Sequence, residues 1–352
     1  MPRPALKKII LTSLVLLLLF PAAAFAEQLS VEIPEERHFA GDDSSMFAAP
    51  YPVAYGEENF RDRILERTQG KRDPIGLVLS GGSARAMAHV GVLKYMEEQG
   101  IVPDFIVSNS MGSIVGLMYS AGFSPEQIEQ ILTEIRLDGL FDFVLPLQGG
   151  LLSLSRFSSL LAAYLGTDTR IEELSIPIMI ITEDMVTKRQ VHIMEGDFAT
   201  VLAASFAIPV YFDPVEYQGH LLIDGGITNL VPLSTAYAYS DTVIVATSFY
   251  DVDTLNLRSP LTALNVSLDI GKRRTGMKEL YTYSDSAIWI RPDVEKVSFM
   301  EFSKAPELIQ KGYEAASARS EVLAPLGRKS LSPALLHDVR GERERDIVRI
   351  RK

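Results

Sequence analysis

The strongest constraint on the fold lies between Ile75 and Ala121, where two short apolar runs each end in small residues and lead straight into a helical pattern. Ile75-Gly76-Leu77-Val78-Leu79 carries no polar side chain on either face of its pleat. As a strand it must be covered on both sides, the situation of a parallel strand inside a layered α/β domain. Ser80-Gly81-Gly82-Ser83-Ala84 follows, and Arg85 to Gln99 reads as a helix. Phe105-Ile106-Val107 repeats the arrangement, with a turn around Ser108-Asn109-Ser110-Met111-Gly112 and a helix over Ser110 to Ala121. This rhythm predicts an α/β fold with a mostly parallel sheet between two helical layers.

The pattern continues downstream. Ser124-Pro125-Glu126-Gln127 offers a Ser N-cap, Pro at the first helical position and an acidic first turn, predicting a helix to about Ile135. Further strands are predicted at Ile178 to Thr182, Gln190 to Met194, Leu221 to Ile223, Thr242 to Thr247 and Ala287 to Arg291, with a helix from Ser303 to Val322. Residues 27–72 are rich in turn formers and read as a leader with one short helix near Glu57 to Arg67. The domain proper is expected over 73–325, and 326–352, ending in the charge-dense Gly341 to Lys352, reads as a solvated tail. Its basic residues are candidates for peripheral contact with anionic lipid headgroups, although interleaved Glu342, Glu344 and Asp346 favour a solvated end.

Residues 1–26 stand apart. Arg3, Lys7 and Lys8 precede an apolar run from Ile9 to Phe20, and Ala24-Phe25-Ala26 closes it, which is the tripartite pattern of a secretory signal peptide. A membrane-spanning helix needs about 20 apolar residues, more than this run supplies. Export is therefore expected, to the periplasm or beyond. The chain has no cysteine, which excludes a disulfide framework and a lipid anchor through an N-terminal Cys. Its net charge of −11 becomes more negative once residues 1–26 are removed, and argues against nucleic-acid binding, which needs clustered Lys and Arg.

Three segments could carry chemistry. The glycine turn with Gly81, Gly82, Ser83 and Arg85 presents amides at a helix start, suited to a phosphate or an oxyanion. It lacks the Gly-Lys-Ser/Thr of a P-loop and the G-x-G-x-x-G spacing of dinucleotide sites. Ser110, flanked by Ser108 and Gly112, has the outline of a nucleophile elbow, and equally of a helix N-cap. Leu221-Leu222-Ile223-Asp224-Gly225-Gly226 brings a carboxylate to a strand end, where it serves either as a base or as ordinary turn chemistry. The histidines are His38, His89, His192, His220 and His337. In the order Ser, acid, His only His337 qualifies, and it sits in a polar C-terminal segment. His89 reads as a packed core residue. A Ser with a carboxylate base fits this inventory better than a triad.

The three segments, in this order, resemble the patatin-like phospholipase family. Gly81-Gly82-Ser83-Ala84-Arg85 with Ala88-His89-Val90-Gly91-Val92-Leu93 is similar to its oxyanion-hole motif and first helix. Ser110 falls at its nucleophile, and Asp224-Gly225-Gly226 at its Asp-Gly-Gly/Ala. Ala203 to Pro209, with Phe212 and Pro214, is similar to the segment preceding the dyad Asp. The likeness spans about Ile75 to Thr247, and the helix near Gly312 to Ala316 is assigned to the same domain.

The resemblance implies a three-layer α/β/α sandwich and a serine acyl hydrolase of lipid esters. Ser110 would be the nucleophile and Asp224 the base, with amides of Gly81, Gly82 and Ser83 forming the oxyanion hole and Arg85 supporting the loop. No metal or organic cofactor is required. The sequence departs from the family in Ser83, Ala86 and Ser108, where glycines are usual. This motivates an alternative, a catalytically impaired lipid- or partner-binding protein of the cell envelope. A second alternative is an esterase with His337 as base. The apolar stretch Gly139 to Leu161 suits an acyl channel or lid as well as ordinary core.

Overall fold

Ile75–Leu79 and Phe105–Ser108 pair in parallel with Leu79 opposite Ser108, so both small-residue turns leave the sheet at the same edge. The computed structural model describes residues 52–134, 142–143, 152–153, 155–166, 168–248, 274, 276–298, 301–331 and 333–350. The expected signal peptide, the leader as far as residue 51 and most of Gly139 to Leu161 lie outside these residues.

The elements run β1 (Val53–Tyr55), α1 (Glu57–Thr68), β2 (Ile75–Leu79), a 3-10 turn at Ser83–Met87, α2 (Ala88–Glu98), β3 (Phe105–Ser108), α3 (Ser110–Ser120) and α4 (Pro125–Glu134). Next come β4 (Asp142–Phe143), β5 (Leu152–Ser153), α5 (Ser155–Leu165), β6 (Ile178–Asp184), β7 (Gln190–Ile193), α6 (Phe198–Phe206), β8 (Val215–Tyr217), β9 (His220–Asp224), α7 (Leu233–Tyr237) and β10 (Thr242–Ala246). After a helical stretch at 276–282 follow β11 (Ile288–Ile290), α8 (Ala305–Ser317), α9 (Ser320–Gly327) and α10 (His337–Ile350).

The main sheet has the order β1-β7-β6-β3-β2-β10-β11, and the β8–β9 hairpin joins it through β6. Pairing is parallel from β6 through β3, β2 and β10 to β11, and antiparallel where β7 and β9 meet β6. Every residue of β2 and β3 is buried, as their uninterrupted apolar runs require. Alternate residues feed two cores. Leu77, Leu79, Ile106 and Ile180 face α2, α3, α6 and α8, while Val78, Val107, Ile181 and Val245 face α1, α7 and the 276–282 stretch. The result is the expected three-layer α/β/α sandwich with a mostly parallel sheet.

The predicted local signal holds at the start of α4. At α4, Gln127 N–H donates to Ser124 Oγ at 3.2 Å while Ser124 N–H donates to Gln127 Oε1 at 2.9 Å, a reciprocal capping box. Two boundaries differ from expectation. The stretch assigned to a leader contributes β1, paired in parallel with β7, and α1, whose Phe60 and Ile64 are buried against the sheet. Three residues between Pro52 and Gly56 are too few for a legible period. The compact unit accordingly begins at Tyr51.

At the other end, α10 replaces the solvated tail. Arg340, Arg343 and Ile347 recur at helical spacing and turn to one face, where Ile347 is buried. Arg340 forks onto the Glu97 carboxylate, and Arg343 Nε donates to the Ala121 carbonyl at 2.9 Å over the Phe123 ring. Two of the basic groups considered for headgroup contact are thus engaged within the fold.

A buried polar chain fastens β1. Tyr55 Oη lies 2.8 Å from His220 Nε2, and His220 Nδ1 lies 2.9 Å from Asp184 Oδ2. Burial pushes the Asp184 carboxyl upward. Hydrogen bonds from Thr187, His220 and the Val186 and Leu221 amides outweigh it and bring the pKa down to about 2.

Helices α2 and α8 touch backbone to backbone. A Cβ on Gly91 would fall 1.8 Å from the Ile309 carbonyl oxygen, and one on Gly312 would fall 1.8 Å from that of Ala88. Either Gly91→Ala or Gly312→Ala is expected to force the helices apart and cost about 2–3 kcal/mol, the upper range for overpacking. Urea unfolding of each variant checks this; a midpoint equal to wild type would contradict the close approach.

Candidate active site

The site is set by how β6 shares one of its edges. Residues Ile178 to Ile180 pair with β3, ending at Ser108 opposite Ile180, and Thr182 to Asp184 pair with β9, ending at Asp224 opposite Thr182. The other edge of β6 is taken by β7. Strands β3 and β9 therefore lie in line on the same edge and run toward each other, β3 parallel and β9 antiparallel to β6. Their carboxyl ends meet over Ile181. The turn carrying Ser110 and the turn carrying Asp224 are brought head to head, although 114 residues separate them in sequence.

The surrounding glycines are fixed by contact. A Cβ on Gly225 would lie 2.4 Å from the Ile181 carbonyl oxygen, so only glycine passes over β6 there. Gly112, where α3 crosses the end of β2, would bring a Cβ within 2.5 Å of the Leu79 and Ser80 carbonyl oxygens. A Cβ on Gly81 would sit 2.9 Å from both Ser110 Cβ and Asn109 Oδ1, which places the glycine turn directly against the nucleophile candidate. The Gly226 amide donates to Asp224 Oδ1 at 2.7 Å, orienting that carboxylate. The Ala207 carbonyl accepts from the Asp224 amide at 3.1 Å, which gives the Ala203 to Pro209 segment its part in the site.

Ser110 is not a helix cap. It is the first residue of α3, Asn109 holds the cap position without a side-chain bond to the helix start, and Ser110 stands at φ 50 with little exposure. A left-handed serine costs roughly 1–2 kcal/mol, strain of the kind concentrated at functional turns. Of the three departures from glycine, Ser83 alone is left-handed, at φ 51, whereas Ser108 is an ordinary strand residue and Ala86 lies in the 3-10 turn. The substitutions at 86 and 108 thus impose no backbone penalty.

The glycine turn itself corrects one assignment. The Gly81 N–H donates to the Leu230 carbonyl at 3.3 Å, so it is committed to the scaffold and turned from an oxyanion role. Gly82, at φ 149, and Ser83 are the remaining amides of that set. Arg85 is buried, and its Nε donates to the Val297 carbonyl at 2.7 Å, bracing the turn from behind. His337 is placed elsewhere. Its side chain is 89% exposed beside Asp338, which is incompatible with a hydrogen bond to the buried Ser110 hydroxyl.

Sequence reasoning missed Asn109, Ser80 and Ser248. Asn109 Nδ2 donates to the Asn229 carbonyl, and the Asn229 amide donates to Gly225 at 2.9 Å, so the elbow is tied to the turn bearing Asp224. Asn109 lay inside the quoted motif, but its partner is 120 residues away.

Known proteins are similar to this chain over much of the same region. The family model described as patatin-like phospholipase matches residues 77–237. The chain is 25% identical over 305 residues to patatin-like phospholipase domain-containing protein 7 of Rattus norvegicus, covering 77% of this chain and 22% of that protein. It is 26% identical over 282 residues to an uncharacterised NTE family protein of Mycobacterium bovis, covering 72% of this chain and 48% of the other. The chain thus spans between about a fifth and a half of the length of these relatives. Among solved structures, VipD from Legionella pneumophila aligns over 71% of this chain and 67% of its own, with 12% identity and a TM-score of 0.38.

His89 lies beneath the glycine turn, fully buried, with Nε2 donating to the Ser80 carbonyl at 2.8 Å. Burial lowers its pKa to about 4, against the opposing effect of that bond, and burial likewise lowers His192 to about 4. A histidine held neutral contributes stability that is complete above its unfolded pKa of about 6.5 and is lost as pH falls toward 4. The unfolding free energy is expected to decline by roughly 2–4 kcal/mol per site across that window. His89→Gln should remove about half of the decline, as read by denaturant titrations at pH 7, 6, 5 and 4.5; an unchanged slope would rule His89 out as a source.

Proposed function

On the match of the patatin-like phospholipase family model to residues 77–237, we propose that the chain is a serine acyl hydrolase that cleaves carboxylic esters of lipids through Ser110 and Asp224. The observation that supports this most is the head-to-head meeting of β3 and β9 on β6, which gives a strained serine and an oriented carboxylate a common location. Asp224 takes the Ser110 proton as Oγ attacks the ester carbonyl. Charge building on the carbonyl oxygen is met by the Gly82 and Ser83 amides at the start of the 3-10 turn. The alcohol leaves with the proton, and water attacks the acyl-enzyme to release a fatty acid. No step needs a metal or organic cofactor. Export by residues 1–26, with action in the periplasm or outside the cell, belongs to the same proposal.

Hydrolysis of a short acyl ester and of a phospholipid by wild type and three variants tests the reading. Ser110→Ala and Asp224→Asn are expected to lower kcat by about a thousandfold or more, while His337→Ala, far more exposed, leaves it unchanged. Activity surviving Ser110→Ala would sink the assignment. An inactive wild type would instead favour the lipid- or partner-binding alternative, with Ser83 the residue to revert to glycine.

A further inference from the structure

We propose that Ser248 and Ser80 act as positioning residues that aim the Gly82 N–H at the oxyanion. Ser248 follows the end of β10, Ser80 follows the end of β2, and both are fully buried. The two hydroxyls converge on one atom: Ser248 Oγ donates to the Gly81 carbonyl oxygen, and Ser80 Oγ donates to the same oxygen at 3.0 Å. They are joined to each other, since the Ser248 amide donates to Ser80 Oγ at 2.9 Å and the two Oγ atoms lie 3.2 Å apart.

The direction of this clamp follows from the sheet order. Strand β10 lies on one side of β2 and β3 on the other. The Ser248 hydroxyl, at the end of β10, therefore draws the Gly81 carbonyl toward the β10 side. In a trans peptide the C=O and the following N–H point in opposite directions, so the Gly82 N–H is turned toward the β3 side, where Ser110 stands. The preceding peptide is held by the same logic, with the Ser80 carbonyl on His89 and the Gly81 N–H on Leu230. Ser248 also accounts for Gly82 itself. A Cβ there would fall 1.8 Å from Ser248 Oγ, so the side chain that fixes the peptide occupies the space a larger residue would need. A donor that is fixed before reaction stabilises the transition state without reorganisation, and loss of a whole oxyanion donor costs about a hundred- to a thousandfold in kcat.

This inference rests on the acyl-hydrolase reading, and the experiment separates the two. Steady-state hydrolysis of p-nitrophenyl butyrate is measured for wild type, Ser248→Ala, Ser80→Ala, Ser248→Thr and Ser110→Ala, with melting temperatures alongside. Ser248→Ala is expected to lower kcat by about ten- to a hundredfold while KM stays within about twofold. Ser80→Ala should move kcat in the same direction, and Ser248→Thr, which keeps the hydroxyl, should recover most of the rate. Wild-type kcat in Ser248→Ala, or a loss confined to KM, overturns the clamp. If Ser248→Ala does not fold, Ser80→Ala carries the same comparison. If wild type hydrolyses nothing, the hydrolase reading falls by itself, and crystal structures of wild type and Ser248→Ala decide the clamp. A reoriented Gly81–Gly82 peptide supports it, and an unchanged peptide overturns it.

Discussion

The architecture depends on β6 dividing one edge between two strands that approach from opposite directions. A parallel neighbour alone would leave the β3 turn facing solvent beyond the sheet. An antiparallel neighbour along the whole edge would exclude β3. Splitting the edge at Ile181 lets a strand from the first half of the domain and one from the second end at the same level. Backbone hydrogen bonds then fix the spacing between Ser110 and Asp224, a more rigid ruler than loops packing against each other. The glycines at 81, 112 and 225 follow from this meeting, because several chain segments cross within a few ångströms and leave no room for Cβ atoms.

The same crowding explains why the site has such an extensive polar scaffold. Buried amides and carbonyls at strand ends need partners, and here most find them in one another's turns: Gly81 with Leu230, Asp224 with Ala207, Asn109 with Asn229. Each such bond satisfies a backbone or amide group and also settles which way a neighbouring peptide faces. Stability and geometry are obtained from the same contacts. A change at one turn is therefore felt at the other two.

Much of this was legible in the residues. The continuous apolar runs of β2 and β3 identified central parallel strands, because nothing polar was available for a solvent face. The turns after β2, β3 and β9 were visible as glycine and serine clusters at strand ends. What stayed hidden involved partners distant in sequence. Ser248 is 168 residues from Ser80, and their contact depends on β10 lying next to β2, an adjacency that no local pattern encodes. The Gly81 amide was assigned to the oxyanion from its position in the motif, whereas its engagement by Leu230 depends on the path of the chain after Asp224. Strand β1 was too short to show a period, and the charge density of α10 concealed the spacing of Arg340, Arg343 and Ile347.

Strand β1 also bears on how the chain is made. Its parallel partner, Val191 to Ile193, lies some 140 residues downstream, and the histidine that receives the Tyr55 hydroxyl comes later still. During synthesis from the N-terminus, the segment from Val53 to Tyr55 emerges early and must wait for most of the domain before it can be paired. Non-local closure of this kind is slow relative to local helix formation. The first part of the folded unit to leave the ribosome is thus among the last to be locked in place.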